Sequence, residues 1–193
     1  MGGRVDPALA IMQYLVAQDV PATIFMTGAM ADNKYTDAGR QVLSIIAEHS
    51  SEFALGNHSY SHPDFTTLTA AQMLSELTST EAAIARYVAI SPHPLFRPPY
   101  GSYNPAVLSA VGGAGYRYVI MWDVDTADWK PESDGGPTAS QITQHVLADA
   151  QDGSIVIMHL GGYNTADALP AIVEGLRARG FQLVTIPTLL GIP

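Results

Sequence analysis

The sequence predicts an α/β fold in which helices wrap a mostly parallel sheet. Two observations point there: helical apolar periodicities alternate with short β-rich runs, and the polar clusters sit mainly at the carboxyl ends of those runs, where parallel α/β folds place their sites. Asp6 and Pro7 read as the N-cap and first residue of a helix through LAIMQYLVA. A strand is expected in ATIFMTG, a helix in AGRQVLSIIAEH, and a short strand in FALG, ending at Asn57 and His58. Thr69 and Gln72 form a capping box, after which Met73, Leu74, Leu77, Ile84 and Val88 recur at helical spacing as a face that packs on the sheet. Four further strands are expected: HPLF before Arg97, RYVIMWDV before Asp125, SIVIM before His159, and QLVTI near the end. Helices following Asn104, Thr138 and Thr165 separate them. There is no internal repeat or linker, and PESDGGPT reads as one surface loop.

A chain of 193 residues is expected to form one domain with a core large enough to fold unaided. Its 18 acidic and 9 basic side chains give a net charge of −9, which argues against nucleic acid or an anionic membrane as partner and favours a neutral or cationic substrate. Without cysteine there is neither a disulfide nor a thiolate site, so a metal here must use imidazole, carboxylate and water. The apolar runs are too short to span a bilayer, and the start MGGRVDP lacks the basic and apolar regions of a signal peptide.

Four polar clusters carry the chemistry. In HSYSH, His58 and His62 are spaced so that both rings can reach one cation, with Ser59 and Ser61 as supporting groups; a pair of surface histidines is the plain alternative. In FRPPYGSYNP, two prolines and a glycine shape a rigid loop that presents Arg97 and backbone N–H groups; a proline-rich connector with a solvated arginine is the alternative. In WDVDTADW, Asp123, Asp125 and Asp128 stand among Trp122 and Trp129, as either site carboxylates or an Asp-capped turn beside core tryptophans. In IVIMHLGG a buried strand delivers His159 to the loop above the sheet, where it is either an acid–base group or a satisfied structural histidine.

Taken in this order, the clusters resemble the polysaccharide deacetylase family, the NodB-homology group within carbohydrate esterase family 4, and the resemblance covers nearly the whole chain. HxxSH appears as His58, Ser61 and His62, RPPYG as residues 97–101, DxxDW as Asp125 to Trp129, and LxH as Ile157 and His159. The stretch TADALPAIVEGLRARGFQLVTI is similar to the family's closing helix and strand. The resemblance implies a distorted parallel (β/α) barrel and metal-dependent removal of acetyl groups from an N-acetylated or O-acetylated polysaccharide such as chitin oligomers, peptidoglycan or xylan. It implies His58 and His62 as ligands of a divalent metal, zinc or alternatively cobalt, manganese or nickel. Catalytic roles fall to His159, which would protonate the leaving amine, to Asp128, which would orient it, and to Arg97, which would pair with the base. The Tyr100 N–H would hold the oxyanion, and Trp129 and Ile157 would line the acetyl pocket, while Tyr60, Tyr103 and Tyr163 are candidates for stacking on sugar rings. A monomer acting on an oligosaccharide or polysaccharide, outside the cell or at the cell wall, is the expected setting.

The departure from the family pattern lies at the start. The family opens with a strand ending in TFDDG, which supplies the general base and the third protein ligand, whereas only MGGRVDP precedes the first helix here. Asp6 reads as a helix cap rather than a substitute ligand, so the chain is expected to be an N-terminally truncated form missing its first strand. Two other readings stand beside the deacetylase: a catalytically inactive domain that still binds glycan, and an amidohydrolase acting on a small cyclic amide or ureide.

Overall fold

The structure, a computed structural model, describes residues 5–192. In chain order its elements are α1 (Ala8–Ala17), β1 (Ala22–Met26), α2 (Gly28–Ala31), α3 (Ala38–Glu48), β2 (Phe53–Asn57), α4 (Ala70–Ala85), β3 (Leu95–Phe96), α5 (Pro105–Gly113), β4 (Tyr118–Val119), β5 (Val124–Asp125), α6 (Ala139–Asp149), β6 (Val156–Ile157), α7 (Thr165–Ala178) and α8 (Ile186–Leu190). The described residues divide into two compact units, one of residues 23–121 and one of residues 5–22 together with 122–192. The architecture is the expected α/β type with parallel strands, and no helix among the described residues is long and apolar enough to cross a membrane.

The unit of residues 23–121 is built on a sheet of order β1-β2-β3-β4, with β2–β3 and β3–β4 parallel. Its core joins Phe65, Met73, Leu77, Phe96, Val107, Val111 and Tyr116. Burying each large apolar side chain of this kind contributes ~1.5–3 kcal/mol, which outweighs the weak intrinsic preference of short helices. Helix α4 carries the expected capping box, with the Thr69 side chain accepting from Gln72 N and the Gln72 side chain accepting from Thr69 N. Met73, Leu77 and Ile84 are buried, but Leu74 is 49% exposed and Val88 lies beyond the end of α4, so the expected stripe is both too wide and too long. Asn104 caps α5 by accepting from Val107 N at 3.0 Å.

In the other unit, β5 and β6 pair in parallel, and α6 and α7 pack with them around Val124, Ile142, Val146, Ala168, Ile172 and Leu176. The Thr138–Gln141 capping box starts α6. Arg177 on α7 donates to Gln18 O and Asp19 O at 2.8 and 3.0 Å, covering carbonyls that the end of α1 leaves without helical partners.

Three expectations are corrected. RYVIMWDV is not one strand: Tyr118–Val119 pair with β3 and Val124–Asp125 with β6. The change of partner occurs at Asp123, whose carboxylate takes Ser154 Oγ and Ile155 N, both at 2.6 Å. QLVTI joins no strand ladder among the described residues; Leu183 instead packs on the α6–α7 core, Thr185 caps α8 through Thr188 N, and Ile186 begins that helix. Asp6 does not cap α1. Pro7 occupies the cap position, and the Ala8 amide bonds Val5 O at 3.1 Å, so the backbone already satisfies the donor that a carboxylate would have taken.

Candidate active site

The histidine pair stands on the loop after β2. His58 N donates to Met26 O at 3.0 Å, which carries the strand pairing one residue beyond β2. The buried Asn57 then sets the turn: its amide donates to Leu77 O (3.1 Å) and Tyr116 Oη (2.6 Å), while its Oδ1 accepts from Ser59 N (2.8 Å). Ser59 and His62 both adopt left-handed backbone (φ 67° and 61°), and Ser59 Oγ accepts from His62 N at 3.0 Å. Two non-glycine residues in that region are a local cost that surrounding bonds must offset. Glu76 on α4 supplies them, its Oε2 accepting from Tyr60 N and Ser61 N at 2.8 and 2.7 Å and its Oε1 from Ser61 Oγ at 2.7 Å.

This scaffold brings the two imidazoles to a centroid distance of 4.8 Å. His58 Nδ1 lies 2.7 Å from Arg97 O; a carbonyl only accepts, so Nδ1 carries the proton and Nε2 keeps its lone pair. Loss of solvation holds His58 well below the usual imidazole range, so the ring is neutral at pH 7. A neutral imidazole with its other nitrogen bonded to a carbonyl is the form that ligates a metal. The donor set thus fits a divalent ion with two nitrogens, and no group of three or more His, Cys, Asp or Glu gathers among the described residues.

The RPPYG loop is tied to the same place. Arg97 N donates to Asn57 O at 3.0 Å, and the side chain, 8% exposed, donates from Nε to Ile120 O at 3.2 Å with its guanidinium 4.2 Å from the Phe25 ring centroid. Burial lowers Arg97 to about 10, which leaves it cationic at neutral pH. Tyr100 sits at φ 61°, with its ring 4.6 Å from that of His62 and its N–H outside the turn bonds, which run from Gly101 N to Pro98 O and from Ser102 N to Pro99 O.

In the unit that holds β5 and β6, Asp125 behaves as the capped-turn reading has it, its carboxylate accepting from Ala127 N at 2.8 Å and Trp122 Nε1 at 3.3 Å. That turn delivers Asp128, which is 1% exposed. One carboxylate oxygen accepts from His159 Nδ1 at 2.6 Å; the other accepts from His159 N at 2.8 Å and from the Thr165 hydroxyl. Burial alone would raise the Asp128 carboxyl, but the bonds and charge of His159 and the bond from Thr165 outweigh it and hold the group below the usual carboxylate range. Ile157 is buried and Trp129 is 52% exposed.

Three supporting residues escaped the reading of the sequence. Glu76 looks like one polar residue of an amphipathic helix, and its partners lie 15 and 16 positions away. Thr165 reads as a helix start. Gly162 stands where any Cβ would collide with the Thr165 hydroxyl and the Asp128 carboxylate.

The chain is similar to several known proteins. The family model for polysaccharide deacetylase matches residues 5–119. A peptidoglycan-N-acetylglucosamine deacetylase of Bacillus cereus is 30% identical over 183 residues, covering 93% of this chain and 62% of that protein. The chain spans about half or less of the length of several other curated relatives. Among solved structures, a family 4 carbohydrate esterase from Streptomyces lividans in complex with acetate is 31% identical with a TM-score of 0.75, covering 92% of this chain and 85% of that one. A CE4 family pseudoenzyme from Bacillus anthracis is 27% identical with a TM-score of 0.77, covering 96% and 60%. The match over more than half of the chain, with the motif residues in their expected order, shows that the chain belongs to the polysaccharide deacetylase family.

Proposed function

We propose that the chain carries the chemistry of metal-dependent deacetylation of an acetylated polysaccharide, with peptidoglycan, chitin oligomers and xylan as the candidate polymers. The observation that carries this reading is the Asp128–His159 pair, in which a buried, ionised carboxylate holds Nδ1–H of a partly exposed imidazole at 2.6 Å. Nε2 is thereby the nitrogen that exchanges a proton with substrate, and protonation of a leaving amine is the step assigned to it. Asp128 is a positioning residue that fixes the tautomer. His58 and His62 are the residues that would hold the metal, which when bound polarises an acetyl carbonyl and lowers the pKa of water. The Tyr100 N–H is assigned to the oxyanion, and Trp129 with Ile157 to the acetyl methyl. Arg97, cationic and buried, is assigned to holding a carboxylate base.

The test is acetate release from chitin oligomers, peptidoglycan fragments and acetylated xylan, with the chain as given and with an N-terminal extension carrying TFDDG. Activity that depends on His58, His62 and His159 supports the reading; hydrolysis of a small cyclic amide without acetate release from any glycan overturns it. A second reading, glycan binding without turnover, is favoured by the pair of imidazoles without a gathered third ligand among the described residues and by the likeness to a protein described as a pseudoenzyme. Glycan affinity with no acetate release from either form would select it.

A further inference from the structure

Tyr116 stands 1% exposed in the apolar core of the unit of residues 23–121, with Phe65, Phe96, Val107 and Val111. A phenylalanine would fill that place, and a buried hydroxyl is costly unless it is bonded. Here it is bonded on both sides. Its proton goes to Glu81 Oε1 at 2.7 Å, because a carboxylate only accepts, and its oxygen accepts from the Asn57 amide at 2.6 Å. Loss of solvation pushes the Tyr116 phenol up from its ordinary value, so the hydroxyl keeps its proton and its direction. His93 stacks its ring on that of Tyr116 at 4.1 Å and places Nε2 3.1 Å from the same Glu81 oxygen.

These bonds continue into the histidine loop with one direction throughout. The Asn57 amide nitrogen donates to Tyr116 and to Leu77 O, which leaves its Oδ1 to accept from Ser59 N at 2.8 Å; Ser59 Oγ in turn accepts from His62 N at 3.0 Å. Every donor in the row from His62 to the Glu81 carboxylate therefore points the same way, an arrangement in which hydroxyl and amide polarise one another. The row ends on Ser59 and His62, the two loop residues held in left-handed backbone, where conformation is costly and must be imposed. Tyr116 Oη and Leu77 O together exclude the reversed Asn57 amide, which would set its NH₂ against the Ser59 N–H. The spacing of the two imidazoles thus depends on a hydroxyl 59 positions from Asn57.

We infer that Tyr116, with Glu81 as the acceptor that orients its hydroxyl, is a positioning residue for His58 and His62, an inference that rests on the proposed reading of that pair as metal ligands. Tyr116→Phe keeps the ring and the His93 stack and removes the oxygen alone. In the metal-free chain it should shift the ¹H–¹⁵N NMR signals of Ser59 and His62, and it should weaken zinc binding about tenfold in a calorimetric titration. Val111→Ala is the control. It opens a cavity in the same core and touches none of these bonds, so it should lower Tm and leave the zinc affinity of the folded chain and both signals unchanged. A second pair of variants reads the outer end of the row. Glu81→Gln keeps an oxygen that can accept from Tyr116, so its zinc affinity should stay near that of the wild type, whereas Glu81→Leu removes the acceptor and should weaken binding. Zinc affinity unchanged in folded Tyr116→Phe, or weakened equally by Val111→Ala, would overturn the inference; should Tyr116→Phe fold poorly, equal zinc affinities of the two Glu81 variants overturn it instead. If the wild type binds no zinc, the metal reading fails, and the Ser59 and His62 signals of the same variants decide the positioning role by themselves.

Discussion

Replacing Asp128 by Asn tests the dyad with almost no change in shape. The buried carboxylate accepts from His159 Nδ1, His159 N and the Thr165 hydroxyl. An amide offers one oxygen and one NH₂ group. The backbone N–H of His159 cannot change its role, so the oxygen should turn to it and to Thr165, and the NH₂ should face Nδ1. The imidazole can then keep its bond only by moving its proton to Nε2. Three bonds to a charged acceptor become neutral ones, a loss of about 1 kcal/mol each. The variant should therefore lose about 2–3 kcal/mol, less than the roughly 3–5 kcal/mol expected for Asp128→Ala, which orphans the donors altogether. For a chain of this length that is a fall in Tm of about 4–12 °C. The pH dependence has a definite sign: a carboxyl held below its unfolded value contributes stability above that value, about 3.9, and loses it as pH falls through the folded value. The gap between wild type and Asp128→Asn should thus be full near pH 6 and shrink below about pH 4. Thermal unfolding across pH, with ¹⁵N NMR of His159 to read the tautomer, checks both parts. A variant that keeps the Nδ1–H form of His159, or whose deficit stays constant down to pH 3, would refute the reasoning.

Other outcomes follow from the same contacts. Glu76→Ala removes the acceptor of two loop amides, so it should cost about 1–3 kcal/mol and weaken zinc binding roughly tenfold, read by unfolding and by calorimetric titration. Zinc should bind the chain weakly and exchange readily, with His58→Ala abolishing the heat and a TFDDG-bearing extension strengthening it; tight binding unaffected by the extension would show that another residue completes the site. Gly162→Ala should destabilise by about 1–3 kcal/mol, because the added methyl meets Thr165 and the Asp128 carboxylate, whereas Gly153→Ala, which meets no atom, should cost less despite its φ of 83°; equal Tm losses would count against the close packing of the dyad. Where acetate release is measurable, His159→Ala should lower it about 10²–10⁴-fold with no rescue by added zinc, in contrast to His58→Ala and His62→Ala.

Much of the molecule was legible in the sequence. Capping boxes at Thr69 and Thr138 and the Asn104 cap are local signals, in which a side chain bonds an amide three residues on, and each starts a helix where expected. The motif order of HSYSH, RPPYG, DTADW and IMH identified the family, because spacing along the chain survives without knowledge of contacts. Tertiary structure decided the rest. Whether RYVIMWDV is one strand or two depends on the capture of Ser154 and Ile155 by Asp123, and whether QLVTI is a strand depends on a ladder partner, and neither is a property of the segment itself. Asp125 and Asp128 lie in the same motif, yet one caps a turn and the other holds an imidazole, a difference made by the atoms brought to each. Glu76, Thr165 and the Asp32–Arg86 pair were invisible for the same reason. Their partners are 15 to 54 positions away, and only the folded chain places such distant groups within hydrogen-bonding range.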